Sequence, residues 1–160
     1  MKYIGIFLLL IAAAATSREY SKYMKKRALE CKAFLSFIAH MRVQVGCFLR
    51  PVKELAAGFS SPMLEKAGFI RALGDSDCIL SAYKRCEPAL SLSEEEKSAL
   101  GSFFSSFGEG YLDDGMKLIE GAYSDMSKLY EKLCAEKTKN TRLVTALSAT
   151  SALGIIIFVI

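Results

Sequence analysis

The sequence predicts an all-α protein, a cytoplasmic bundle of about six helices flanked by N- and C-terminal transmembrane helices. Three observations predict it. Residues 143–160 (LVTALSATSALGIIIFVI) run for 18 positions without a charge; at ~1.5 Å rise per residue they span about 27 Å, close to the roughly 30 Å of a bilayer's hydrocarbon core. All 17 Asp and Glu, and every Lys and Arg except Lys2, lie between Arg18 and Arg142. A charged middle, long enough for its own core, thus separates two apolar ends. Apolar residues of that middle recur at helical spacing, and no stretch sustains the period-two alternation of a strand. The organisation that follows is an anchor over 1–17, a cytoplasmic bundle over 18–142 and a closing span over 143–160.

The N-terminal run, residues 3–15 (YIGIFLLLIAAAA), is the shorter one. With Thr16 and Ser17 it makes 15 uncharged residues, about 22 Å of helix. That length suits a signal peptide, and Ala13-x-Ala15 resembles a cleavage site. Arg18, Lys22, Lys25, Lys26 and Arg27 follow at once, opposed by Glu19. Dense positive charge after an apolar segment is a stop-transfer and positive-inside signal, so an uncleaved anchor is predicted, with its N-terminus outside. Lys132, Lys137, Lys139 and Arg142, against Glu131 and Glu136, precede the closing run. Both basic flanks face the middle, which places residues 18–142 in the cytoplasm. The alternative is an extracytoplasmic helical domain with a cleaved signal peptide and a C-terminal membrane tether.

Small residues at Ala146, Thr150 and Gly154 recur every four positions of the closing run, a face suited to close helix packing. Its hydroxyls are tolerable in a span because a helical Ser or Thr can return its hydroxyl to the i−4 carbonyl.

In the middle, apolar positions at Tyr20, Met24, Cys31, Phe34, Leu35, Ile38, Met41, Val45, Phe48 and Leu49 predict one long helix continuing out of the anchor. Pro51 opens a short helix ended by Gly58. Ser61-Pro62 starts another, expected to run to Leu73 and stop at Gly74. Asp75-Ser76-Asp77 is expected to cap a helix reaching about Glu87, before Pro88. Ser93-x-x-Glu96 is a capping box, with Leu100, Phe103, Phe104 and Phe107 on one face of its helix. Gly108-Glu109-Gly110 breaks the chain. Then Leu112, Met116, Ile119, Tyr123, Met126, Tyr130 and Leu133 form a stripe spaced alternately four and three, which should pack on a neighbouring helix at a shallow angle.

The chemistry of most function classes is missing. Net charge is +4, with no cluster of Lys and Arg interleaved with aromatics, so nucleic-acid binding is not predicted. Five cysteines without CxxC spacing read as reduced, mostly buried thiols. His40 shares a helix face with Cys47 but lacks a third group to orient the pair, and reads as a partly exposed structural residue. Metal ligands do not cluster at fixed spacing, and no GxxxxGK[ST] phosphate loop occurs. We therefore expect no enzyme, no cofactor, no metal and no small-molecule substrate. What stands out is acid. Residues 87–125 carry nine carboxylates against Lys97 and Lys117. They read either as helix caps and a solvated face or as a partner-docking surface turned away from the anionic leaflet. The candidate docking residues are Glu94, Glu95, Glu109, Asp113 and Asp114, with a conformational turn at Gly108 and Gly110.

This layout resembles the stage III sporulation protein AB family of endospore-forming bacteria. The likeness covers almost the whole chain. It is carried by Phe107-Gly108-x-Gly110 before the acidic start of a long terminal helix (Asp113-Asp114), by PVKEL at residues 51–55 after a long first helix, and by the anchor at each end. The family's Leu-Gly turn reads Phe107-Gly108 here. The resemblance implies a bundle similar to the cytoplasmic domains of inner-membrane platform proteins in type II secretion and type IV pilus machines. It implies a place in the channel between mother cell and forespore, in the outer forespore membrane on the mother-cell side. Its implied partners are a secretion-type ATPase, stage III sporulation protein AA-like, and other channel subunits.

Overall fold

A computed structural model describes residues 2–47, 58–76, 78–107 and 112–159. The side chains of 2–10, 12–13, 45–47, 112–114, 141–142, 145, 147–149 and 151–159 lie outside that description. Six α-helices and one 3-10 turn make up the described chain, and no strand occurs among those residues. They are α1 (Lys2–Cys47), α2 (Pro62–Lys66), α3 (Phe69–Asp75), α4 (Ile79–Cys86), α5 (Glu94–Ser106) and α6 (Leu112–Val159), with the 3-10 turn Glu87–Ala89 before α5.

The first and last helices are long, 46 and 48 residues, as expected for helices that carry on into the apolar ends. Among the described residues no helix is long and apolar enough to cross a membrane. Most side chains of the two apolar runs fall outside that description, so the flanking spans expected from the sequence are not supported here. One expectation about the closing run is met: the Thr150 hydroxyl donates to the Ala146 carbonyl at 3.0 Å.

Three boundaries differ from expectation. The helix predicted from Ser61 to Leu73 is two helices, because Gly68 takes φ +81°. Its N–H donates back to the Glu65 carbonyl at 3.0 Å, closing α2, and its own carbonyl accepts from Ala72 to open α3. Only glycine enters this left-handed region without steric cost. Gly74 does not end α3, which runs through Asp75. The next helix starts at Ile79 with Cys78 as its N-cap and no side-chain cap bond; Asp77 lies outside the described residues. The short helix predicted from Pro51 also lies outside them.

The chain divides into two compact units, residues 1–26 with 132–160, and residues 27–131. The divisions fall inside the charged middle, not at its ends. In the 27–131 unit the core is aromatic. Phe34 and Phe37 of α1, Phe69 of α3, Tyr83 of α4 and Phe104 of α5 are all fully buried. Phe34 meets Phe69 edge-on at 5.3 Å between centroids, Phe37 meets Phe69 at 5.2 Å, and Tyr83 meets Phe104 at 5.2 Å. Such pairs add about 0.5–1.5 kcal/mol each beyond the burial of their surface. On α6 the predicted stripe is graded: Ile119, Met126 and Leu133 are fully buried, while Met116, Tyr123 and Tyr130 are half-buried. In the other unit the Asn140 amide donates to the Tyr20 hydroxyl at 3.2 Å, joining α6 to α1.

Candidate partner-docking surface

The run Glu94-Glu95-Glu96 opens α5, and the capping box sorts its three carboxylates. The Glu96 N–H donates to the Ser93 hydroxyl at 3.3 Å, and the Ser93 N–H donates to Glu96 Oε2 at 2.8 Å. That turns Glu96 inward, where it is 1% exposed. There Arg27 of α1 grips it with two bonds, Nε to Oε2 at 2.9 Å and Nη2 to Oε1 at 3.0 Å. A bidentate guanidinium–carboxylate pair is directional and strong. Three residues along α1, the buried Glu30 accepts the Ser91 N–H at 2.6 Å. Two carboxylates thus pin the segment entering α5 to α1, with Leu90 and Leu92 buried on either side of Ser91.

Glu94 and Glu95 are left on the outside. Glu94 is 90% exposed and accepts from Lys97 Nζ at 3.0 Å; Glu95 is exposed as well. Of the other candidates, Gly108, Glu109 and Gly110 lie outside the described residues. Asp113 and Asp114 occupy the first turn of α6, a position that favours negative charge; their side chains are not described. The acidic candidates therefore form two groups rather than one. Glu94 and Glu95 begin α5, and the others follow its far end, after 13 helical residues or about 18 Å of rise. Of the remaining acids, Glu96 is held by Arg27, Glu120 by Arg42 at 3.1 Å, and Asp125 by Lys128 at 3.3 Å. The last two pairs are exposed and contribute little to stability.

The helices α5 and α6 share a feature that sequence reading missed. A groove of about 330 Å³ separates α5 from α6. Small residues line it, Ala99, Ser102 and Ser106 on one helix and Gly121 and Ala122 on the other, together with the larger Phe103, Leu118 and Met126 and the charged Lys117 and Asp125. The signal was present as small residues at spacings of three and four on α5 and as the adjacent Gly121 and Ala122 on α6. It could not be used without knowing that those two faces meet.

The remaining chemical groups are quiet. Burial pushes the Cys86 thiol up to about 12, with a smaller push from the Glu87 carboxylate, while its own backbone hydrogen bond works the other way. Burial likewise raises the Tyr83 phenol well above its usual range, helped by Glu87; its hydroxyl donates to the Lys97 carbonyl at 3.0 Å. Both groups are neutral, fixed parts of the core. His40 is half-buried against Phe59, with ring centroids 5.4 Å apart. The Cys47 side chain lies outside the described residues. Among the described residues, no three His, Cys, Asp or Glu side chains converge as a metal site.

The family profile of stage III sporulation protein AB matches residues 2–160. The chain belongs to the stage III sporulation protein AB family. The match includes both apolar ends as well as the charged middle. No curated protein matches the chain significantly, and no solved structure does.

Proposed function

We propose that this family member is a non-enzymatic membrane platform component of a sporulation channel between mother cell and forespore. Its 27–131 unit faces the cytoplasm and docks a secretion-type ATPase. The observation that carries this reading is the groove between α5 and α6, with Lys117 and Asp125 in its lining, on a unit whose carboxylates outnumber its Lys and Arg. Its Ala, Ser and Gly positions give a partner helix room to approach, Phe103, Leu118 and Met126 offer it apolar contact, and the acidic excess of the unit favours a basic partner. Two further facts support the placement. The helix α6 runs on through the apolar residues to Val159, and the basic flanks of both ends lie on the side of the charged middle. The unbroken course of α1 through Ala13-x-Ala15 favours an uncleaved anchor over the tethered extracytoplasmic reading.

Cys78 supplies a topology test, because it is exposed. In a variant retaining only this cysteine, a membrane-impermeant maleimide should label cells only after lysis. Labelling of intact cells overturns the cytoplasmic placement and leaves the tethered reading. The docking claim is tested by Gly121→Leu. A Cβ added there meets nothing within 4 Å, and the longer leucine side chain occupies the groove that Gly121 lines. Capture of the stage III sporulation protein AA-like ATPase should fall about tenfold, the effect of losing a well-packed contact, with helicity unchanged. Equal capture sinks the groove as the docking seat.

A further inference from the structure

The two compact units differ in charge. Residues 1–26 with 132–160 carry nine Lys and Arg against two Glu, whereas residues 27–131 carry twelve against fifteen Asp and Glu. Eight of the nine basic residues lie within eight positions of Tyr20 or Asn140. The hydrogen bond between those two residues sets the two basic stretches side by side. Arg18 and Lys25 are seven apart on one face of α1, Lys132 and Lys139 seven apart on one face of α6, and all four are exposed. Tyr20 and Tyr23, 37% and 46% exposed, stand at the same level. In each helix the uncharged run begins at the outer edge of this band, before Arg18 on α1 and after Arg142 on α6.

We infer that this band is a recognition surface for the headgroups of anionic lipids. The physical case has three parts. Clustered Lys and Arg beside an apolar helix segment attract anionic leaflets additively, within about a Debye length of the surface. Exposed tyrosines suit the same depth, since their rings are apolar and their hydroxyls need a wet partner. Neither helix alone brings together more than four of these basic residues; the Tyr20–Asn140 contact doubles the local charge. The band would hold anionic lipid beside the apolar runs of both helices. The inference rests on the membrane reading above, and it adds a lipid preference that a mere anchor lacks.

The test is native mass spectrometry of the full chain in neutral detergent, offered equal amounts of phosphatidylglycerol and phosphatidylcholine. Phosphatidylglycerol should be retained over phosphatidylcholine by at least about tenfold. Replacing Lys25, Lys26, Lys132 and Lys139 by Gln should bring the ratio to within about twofold. The same number of charges removed from the other unit, at Lys66, Arg71, Lys84 and Arg85, should leave it unchanged. Equal retention by the wild type overturns the inference, and so does an equal loss of preference in the second variant, which would make it an effect of net charge. Resistance to alkaline carbonate extraction tests the membrane reading separately. A chain that resists extraction but shows no lipid preference loses only the band.

Discussion

Phe34 and Ile11 stand on the same helix, yet Phe34 is fully buried and Ile11 is 50% exposed. That contrast runs through both units. In residues 27–131, aromatic and aliphatic side chains turn inward onto one another, and even two carboxylates, Glu30 and Glu96, are taken inside and satisfied. In the unit formed by the two ends, Met24 and Leu133 are the buried apolar residues among the described side chains, and Leu143 is 49% exposed. The first unit completes its own core. Among the described side chains of the second, Ile11 and Leu143 stay exposed. The difference teaches that hydrophobicity alone does not say where a residue goes; what matters is whether the same unit can cover it.

The sharpest way to break this comparison is a pair of truncations. Phe34→Ala should cost about 3–5 kcal/mol, the range for removing a buried aromatic from a packed core. Ile11→Ala should cost less than about 0.5 kcal/mol, as expected of an exposed position. Urea unfolding of the full chain in detergent, followed by exposure of the buried Cys31 thiol, reads both. Equal costs would mean that the ends have a core of their own.

The inward carboxylates come next. Arg27→Ala strands Glu96 without its guanidinium, and breaking a buried pair on one side costs roughly 3 kcal/mol. Glu96→Gln keeps the cap acceptor and should cost less. If Arg27→Ala proves neutral by the same assay, the clamp contributes nothing to joining α1 and α5.

A smaller effect sharpens the comparison through pH. Folding raises the Cys86 thiol from 9.0 to about 12 and raises the Tyr83 phenol as well. A group whose pKa is raised by folding gives its full contribution below its ordinary pKa and loses it as pH climbs towards the folded value. Stability of the 27–131 unit should therefore be level below pH 9 on account of these groups and fall above it. Cys86→Ala with Tyr83→Phe should flatten the decline. An unchanged slope would place the alkaline sensitivity elsewhere.

The smallest expected effect has the opposite sign. Gly121 is helical, and an added Cβ there meets nothing within 4 Å. Gly121→Ala should stabilise α6 by about 0.5–1 kcal/mol, by removing glycine's backbone freedom from the unfolded chain. Together with the lost ATPase capture expected of Gly121→Leu, this would show a position kept small for an interaction and not for the fold. Destabilisation by Ala would remove that argument.

The sequence by itself determined what is local. The Ser93–Glu96 box marked the start of α5 because its two bonds close within four residues. The stripe through Ile119, Met126 and Leu133 was legible because a helix face repeats within seven. The all-helical class and the polar middle between apolar ends followed from the same short-range patterns. Gly68 was passed over because a glycine inside a helical pattern is tolerated, and its left-handed φ is chosen by how α2 and α3 must turn to bury Leu64 and Phe69. Glu96 read as the capping-box acid of α5; only the fold brings Arg27, 69 residues away, into its reach. The groove of Ala99, Ser102, Gly121 and Ala122, and the Tyr20–Asn140 contact across 120 residues, were decided the same way. Helix period and capping are set by neighbours along the chain. Which faces meet is set by tertiary packing, and at every one of these places it is the meeting of faces that makes the candidate site.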